Sequence, residues 1–238
     1  MTEQLFTQDA YLTDCTATVT AVHDMAVELD RTVFYAQGGG QPGDTGTLTL
    51  ADGTVLVISN AMKGDTPGGI VHLIAGGVMP PPVGTELTAK IDWERRHKFM
   101  RMHTCLHLLS AVLPYPVTGG SIGEEKGRLD FDHPEANLDK EDIAAKLAAL
   151  IAADHPVSDE WITDAELDAQ PDLVKTMAVQ PPRGLGKVRL LRIGDSVDLQ
   201  PCGGTHVKRT GEIGAIEVGK IEKKGRQNRR VNLRFAVE

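Results

Sequence analysis

Apolar and polar residues alternate with a period of two through most of the segment from Cys15 to Ile91, the spacing of strands with one buried face. Thr16, Thr18 and Thr20 keep this register, followed by Val27 and Leu29. The stretch TGTLTLADGTVLVIS at 45–59 breaks only at Asp52-Gly53, a dipeptide that closes a hairpin. Two shorter strands are expected at 70–74 and 85–91. Between them lies GGVMPPPVG, which no helix can cross because proline lacks the amide proton and fixes its own φ. Successive short strands joined by turns predict a small β-barrel ending near residue 91.

The period then changes. Trp93 to Leu113 follows a helical spacing that stops at Pro114, and AAKLAALIAA lies in a second helix over 139–153, with Asp139 or Asn137 as its cap. A shorter helix is expected at 164–169. KVRLLRI at 187–193 has the apolar run of a buried strand, and GAIEVGKIE and RRVNLRFAV form a closing pair. Helices packed on one face of a mostly antiparallel sheet make an α+β fold. The expected division is a β-barrel domain at 1–91 and an α+β domain at 92–238. There is no internal repeat and no low-complexity tract.

Composition narrows the class. With 238 residues, 41% hydrophobic and 24% charged, the chain suits a soluble globular protein, and aromatics at 4% leave its cores aliphatic. No apolar run reaches the length of a membrane span. The N-terminal MTEQLFTQDAYLTD has no basic segment, so no secretory signal is expected. Cysteines at 15, 105 and 202 give an odd count and no disulfide framework, which fits the cytoplasm.

The net charge of −8 argues against a nucleic-acid partner, but its distribution argues for one. Basic residues gather at 208, 209, 220, 223, 224, 226, 229, 230 and 234, opposed only by Glu212, Glu217 and Glu222. A second cluster is Arg95, Arg96, Lys98 and Arg101. Acids without basic residues fill 154–172. This separation can steer a polyanion to one face, with Arg95, Arg96, Lys98, Lys223, Lys224, Arg226, Arg229 and Arg230 as candidate phosphate contacts. Basic residues that protect strand edges would look the same.

Two separated segments carry chemistry. His103-Thr-Cys-Leu-His107 puts two imidazoles at i and i+4, on one helix face. Cys202-Gly-Gly-Thr-His206 puts a thiol and a third imidazole on a glycine turn. Three nitrogens and one sulfur form a borderline-soft donor set that suits Zn2+. A zinc-protease helix would carry a general-base glutamate where Thr104 stands. Cys105 points off the histidine face and is expected to be merely buried. Four tight ligands would close the coordination sphere, so one is expected to be loose, and His206 at the end of the GGTH turn is the candidate. Gly203 and Gly204 would offer backbone N–H groups to an oxyanion. The GGGQPGDTG loop matches no nucleotide-phosphate motif. Its glycines, Gly39 and Gly40 among them, allow close backbone approach to a ligand, and Gln41 offers an amide.

RMHTCLHLLSAVL at 101–113, VDLQPCGGTHV at 197–207, LDRTVFYAQGGGQPGDTG at 29–46 and the basic KKGRQNRRVNLRF at 223–235 resemble the editing domain of alanyl-tRNA synthetase and its stand-alone relatives, the alanyl-tRNA editing proteins of the AlaX type, longer form. Threonyl-tRNA synthetase carries a related module, and the GGGQ segment favours the alanyl branch. The resemblance implies a zinc-organised aminoacyl-tRNA deacylase acting without ATP on alanine-specific tRNA mischarged with serine or glycine. It implies that Thr32 meets the hydroxyl of the mischarged serine. Two alternatives stay open: a non-catalytic zinc-stabilised tRNA-binding module, and a zinc hydrolase of another ester. No aminoacylation segment is recognisable, so a full synthetase is not expected. The sequence leaves the choice of serine or glycine, the tRNA elements read and the oligomeric state undetermined.

Overall fold

The alternating N-terminal segment closes on itself. In the computed structural model, which describes residues 1–133, 138–177 and 186–236, the strands β1 (Asp14–His23), β2 (Ala26–Leu29), β3 (Gly46–Leu50), β4 (Val55–Lys63), β5 (Ile70–Ile74) and β6 (Glu86–Ile91) form a closed barrel in the order β1-β2-β5-β4-β3-β6. Every neighbouring pair is antiparallel. Along β6 the residues alternate strictly between exposed and buried. The inward set (Leu29, Leu48, Ile58, Ile70, Leu87 and Ala89) fills the barrel with aliphatic side chains. Closure removes the strand edges that an open sheet would expose. The chain forms two compact units, Met1–His97 and Lys98–Glu238.

Two polar clusters, one around His72 and one around Arg96, are locked inside the first unit. His72 is fully buried, with Nδ1 3.2 Å from the Val27 carbonyl and Nε2 2.9 Å from Thr32 Oγ1. A carbonyl only accepts, so Nδ1 carries the ring proton and Nε2 accepts from the threonine hydroxyl. Burial pushes the His72 pKa down to about 4, against a smaller upward pull from the Val27 carbonyl. Arg96 and Asp44 form an ion pair with neither side chain exposed. The Arg96 guanidinium also donates to the carbonyls of Ala10 (3.0 Å) and Val33 (2.7 Å), and Asp44 accepts from the Tyr35 amide at 2.6 Å. These bonds pin the loop that leads into and out of the GGGQ turn.

Helix α1 (Trp93–Val112) starts at the end of the barrel. From Phe99 to Ser110 every residue except Arg101 is buried. In the second unit, β7 (Val117–Ile122), β8 (Lys126–Asp132), β12 (Ile216–Lys224) and β13 (Asn228–Phe235) form an antiparallel sheet in the order β12-β13-β8-β7. A second antiparallel sheet is built of β9 (Val157–Ile162), β10 (Val188–Ile193) and β11 (Asp198–Pro201), in that order. Helix α2 (Lys140–Ala152) is capped by Asp139, which accepts from the amides of Glu141 and Asp142, while Asn137, the other candidate cap, lies outside the described residues. Helix α3 (Asp164–Asp168) opens on a capping box between Thr163 and Glu166.

The α+β class holds, with two sheets where one was expected. The barrel strands, the helices and the strands β10, β12 and β13 fall where the periodicity put them, although Val237 of the last predicted strand lies outside the described residues. Strands β7, β8, β9 and β11 have no counterpart in that reading.

The buried neutral His72 makes the barrel sensitive to acid. Its folded pKa lies below the ordinary histidine value of 6.5, so the unfolded chain takes up the proton first. The stabilisation is complete above about pH 6.5 and is lost as pH falls toward about 4, at about 1.4 kcal/mol per pH unit. Urea unfolding of the wild type and of His72→Gln at about pH 6.5 and about pH 5 should show the stability gap between them narrowing by about 2 kcal/mol. A gap independent of pH would mean that His72 does not titrate in this range.

Candidate functional site

Both expected halves of the site meet in the second unit. Helix α1 carries His103 and His107 one turn apart on one face, and the loop after β11 carries Cys202 and His206. One ligand atom from each of the four lies within 4.8 Å of the other three. Cys202 Sγ is 3.6 Å from His103 Nε2 and 3.2 Å from His206 Nε2. The three imidazole rings stand 4.2 to 5.2 Å apart, centroid to centroid. Bonds of about 2.0–2.3 Å to one central ion place tetrahedral ligands roughly 3.3–3.8 Å apart, so the donor set fits a single metal ion.

Two of the imidazoles, His107 and His206, are held from behind. Asp198 Oδ2 accepts from His107 Nδ1 at 3.0 Å, and Asp198 Oδ1 accepts from Lys175 Nζ at 2.6 Å. Gln200 Nε2 donates to the same carboxylate at 2.6 Å and to Ser110 Oγ at 3.0 Å. His206 Nδ1 is 3.2 Å from Thr104 Oγ1. Arg189 secures the loop: its guanidinium donates to the Gly204 carbonyl at 2.6 Å and pairs with Asp159 at 2.7 Å, and its backbone carbonyl accepts from the Cys202 amide at 3.0 Å. Sequence reasoning missed Asp198, Lys175, Gln200 and Arg189. The one available signal was Asp198, an acid four residues before the cysteine.

The electrostatics follow from burying a thiol among imidazoles. Burial alone would push Cys202 up, but the facing His103, His206 and His107 outweigh it and hold the thiol well below its ordinary range. Burial pushes His103 and His206 down. His107 resists the same burial because the Cys202 sulfur and Asp198 favour its charged form, and its pKa rises to about 9. A cation would displace the His107 proton, leaving a thiolate and three nitrogen lone pairs to bind it. Cys105 is fully buried, as expected, and burial raises its pKa to about 12.

Several expectations need correction. His206 is not loose: it is buried and its ring is tethered to Thr104. The Gly204 amide donates to Cys202 Sγ at 3.4 Å, so it serves the thiolate rather than an oxyanion. Gly203 is exposed. Arg96 is sealed inside the first unit with Asp44 and offers nothing to a phosphate. Arg229 is buried as well, and Arg230 holds Asp130 through two bonds of 2.7 and 2.8 Å. Lys223 and Arg226 are exposed; Lys224 is exposed beside Glu222. Lys98 pairs with Glu125, and Arg95 donates to the Gly43 carbonyl. The acidic segment is partly neutralised, because Asp154, Asp159 and Glu160 each pair with an arginine.

In the first unit, Gly39 and Gly40 have φ of 58° and 84°, and Gly38 and Gln41 exchange both backbone hydrogen bonds across them. Two successive left-handed residues make a tight hairpin turn that favours glycine at both positions. Gln41 is buried. Thr32 is also fully buried; its hydroxyl donates to His72 and accepts from the Phe34 amide at 3.1 Å.

Residues 188–232 match the family model of the threonyl and alanyl tRNA synthetase second additional domain, and residues 6–95 match that of class II (A) tRNA synthetases. The chain is 35% identical to the alanyl-tRNA editing protein AlaX-M of Methanosarcina acetivorans, over 97% of this chain and 98% of that protein. It is 32% identical to AlaX-M of Saccharolobus solfataricus over the same shares of both. With the alanine–tRNA ligase of Pyrobaculum arsenaticum it shares 37% identity over 93% of this chain but 25% of the ligase.

Asp198 provides a test of the metal site. Replacing it with alanine removes the carboxylate that orients His107 and also strands Lys175. Loss of such a partner costs roughly 10–100-fold in metal affinity. Chelator competition with zinc as the probe should show that drop in Asp198→Ala, and unchanged affinity would mean that His107 is held without it.

Proposed function

The chain belongs to the alanyl-tRNA editing family, and on that premise we propose that it deacylates alanine-specific tRNA mischarged with serine or glycine, in trans, in the cytoplasm and without ATP. The observation that carries the reading is the convergence of His103, His107, Cys202 and His206 within 4.8 Å, in a chain that spans nearly all of its editing-protein relatives. We assign the site to zinc on the chemistry of its donors. When bound, zinc would be held by all four donors and so would organise the loop that meets the ester carbonyl rather than act on it as an open Lewis acid. Water adds to that carbonyl and the bond to the ribose oxygen breaks, giving the free amino acid and the uncharged tRNA.

The protein's own residues hold this arrangement. Asp198 and Lys175 fix His107, while Arg189 fixes the loop that bears Cys202 and His206. Gly203, exposed on that loop, faces the ester. In the first unit, Gly39, Gly40 and Gln41 are the candidates for contact with an aminoacyl group. The resemblance assigns the serine hydroxyl to Thr32, on which one acceptor lone pair remains after its bonds to His72 and Phe34. No membrane enters the scheme: among the described residues no helix is long and apolar enough to cross one.

Deacylation of seryl-, glycyl- and alanyl-charged alanine tRNA tests the activity, and the first two should be cleared while the third survives. A zinc-loaded protein that leaves all three intact while binding tRNA would instead be a zinc-stabilised binding module. Thr32→Val removes the hydroxyl at nearly constant size. An unmade buried hydrogen bond costs about 1–3 kcal/mol, so serine removal should fall roughly ten- to a hundredfold and glycine removal much less. An equal fall for both, with a lower Tm, would confine Thr32 to the barrel.

For tRNA contact, Lys223, Lys224 and Arg226 are the exposed candidates on the β12–β13 turn, joined by Arg95 and Lys98. Exposed ion pairs such as Lys98–Glu125 are worth little and exchange readily for phosphate. Charge reversal at Lys223 and Arg226 should weaken tRNA binding and flatten the slope of log K against log[salt] by about one per lost phosphate contact. An unchanged slope would return this turn to a solvated strand end.

A further inference from the structure

The helix residue that stands where a zinc protease keeps its general base is tied into a closed set of hydrogen bonds. Thr104 is fully buried on α1 between His103 and His107. Its hydroxyl donates to the Met100 carbonyl one turn back, at 2.9 Å. The same oxygen accepts from the Val207 amide at 3.3 Å. A third neighbour, His206 Nδ1, lies 3.2 Å away.

A hydroxyl has one proton and two lone pairs. The proton goes to the Met100 carbonyl, which can only accept. One lone pair takes the Val207 amide, which can only donate. Toward His206 the oxygen can therefore only accept, so the imidazole must present N–H at Nδ1. The lone pair of that ring then sits on Nε2, the atom 3.2 Å from Cys202 Sγ. His107 is set in the same sense by Asp198, also from Nδ1.

We propose that Thr104 is the positioning residue that fixes the tautomer and ring orientation of His206, so that Nε2 is presented to the metal. The helix has exchanged a base for an orienting hydroxyl. Thr104 also joins α1 to the Cys202–His206 loop through two contacts, Val207 N–H and His206 Nδ1. The proposal rests on the metal reading above and deepens it.

Zinc affinity measured by chelator competition on the full chain, with cobalt(II) absorption as a second readout, tests it. Thr104→Val keeps the shape and removes the hydroxyl; Thr104→Ser keeps the hydroxyl. Thr104→Val should bind zinc roughly 10–100-fold more weakly, whereas Thr104→Ser should stay within a few-fold of wild type. In the cobalt protein the ligand-field bands should change in Thr104→Val, while the thiolate charge-transfer band from Cys202 persists. The deciding comparison is made in a His206→Ala background. If Thr104 acts through His206, adding Thr104→Val there costs no further affinity. An equal loss in both backgrounds would show that the threonine only supports the helix. Full affinity in Thr104→Val would overturn the proposal outright. A wild-type chain that binds no zinc would overturn the metal reading itself, and the proposal with it.

Discussion

A buried polar group must find a partner inside the protein, and helix α1 places a series of them where water does not reach. Arg96, within the first unit, is saturated by Asp44 and two backbone carbonyls. Within the second unit, His107 is answered by Asp198, Ser110 by Gln200, and Thr104 by His206 and Val207. These partners come from far along the chain. Leaving any of them unmade costs about 1–3 kcal/mol, and more for a charge. Each pairing therefore specifies which distant segment packs against which turn of the helix. An apolar helix of the same length would bury as much surface but would not impose one register.

The same constraint explains why the site is as much an electrostatic object as a geometric one. Cys202 would stay protonated if it were buried alone, and the histidines would stay neutral and inert. Together they reverse the effect of burial on the thiol and on His107. Asp198 is the counterweight, since it lies beneath His107 with its other oxygen on the half-buried Lys175. The charge network thus runs from the surface to the donor atoms in three residues.

Much of this was legible in the sequence, and the failures have physical reasons. The barrel strands show because one face is buried, which imposes alternation. β7 escapes detection because Gly119 and Gly120 dilute the pattern and a bulge opposite Asp130 and Phe131 shifts its phase, whereas β8 alternates throughout but has Gly127 at one of its buried positions. β9 escapes because an edge strand reading VSDEWI carries its acids for arginines on β10. The four donors were legible since the i,i+4 and CxxxH spacings are local. Their supports were not, because Asp198, Arg189 and Thr104 act on partners fixed only by the tertiary fold. Basic residues misled for the same reason. Arg96 and Arg229 look like Arg226 in a string of letters, and only packing tells a sealed guanidinium from an offered one.

Cys202 and His103 are separated by 99 positions. Joining them ties off a long segment of chain, which in the unfolded state would otherwise sample a great volume. By the loop-entropy model a cross-link over about 100 residues is worth about 4.7 kcal/mol. An ion gripped from both ends would act as a clasp of this kind, holding shut α2, the whole three-stranded sheet and half of the four-stranded one. The binding centre cannot assemble until the polypeptide has been made through His206, and what a bound ion gained in assembling it would be returned to the second unit as resistance to unravelling.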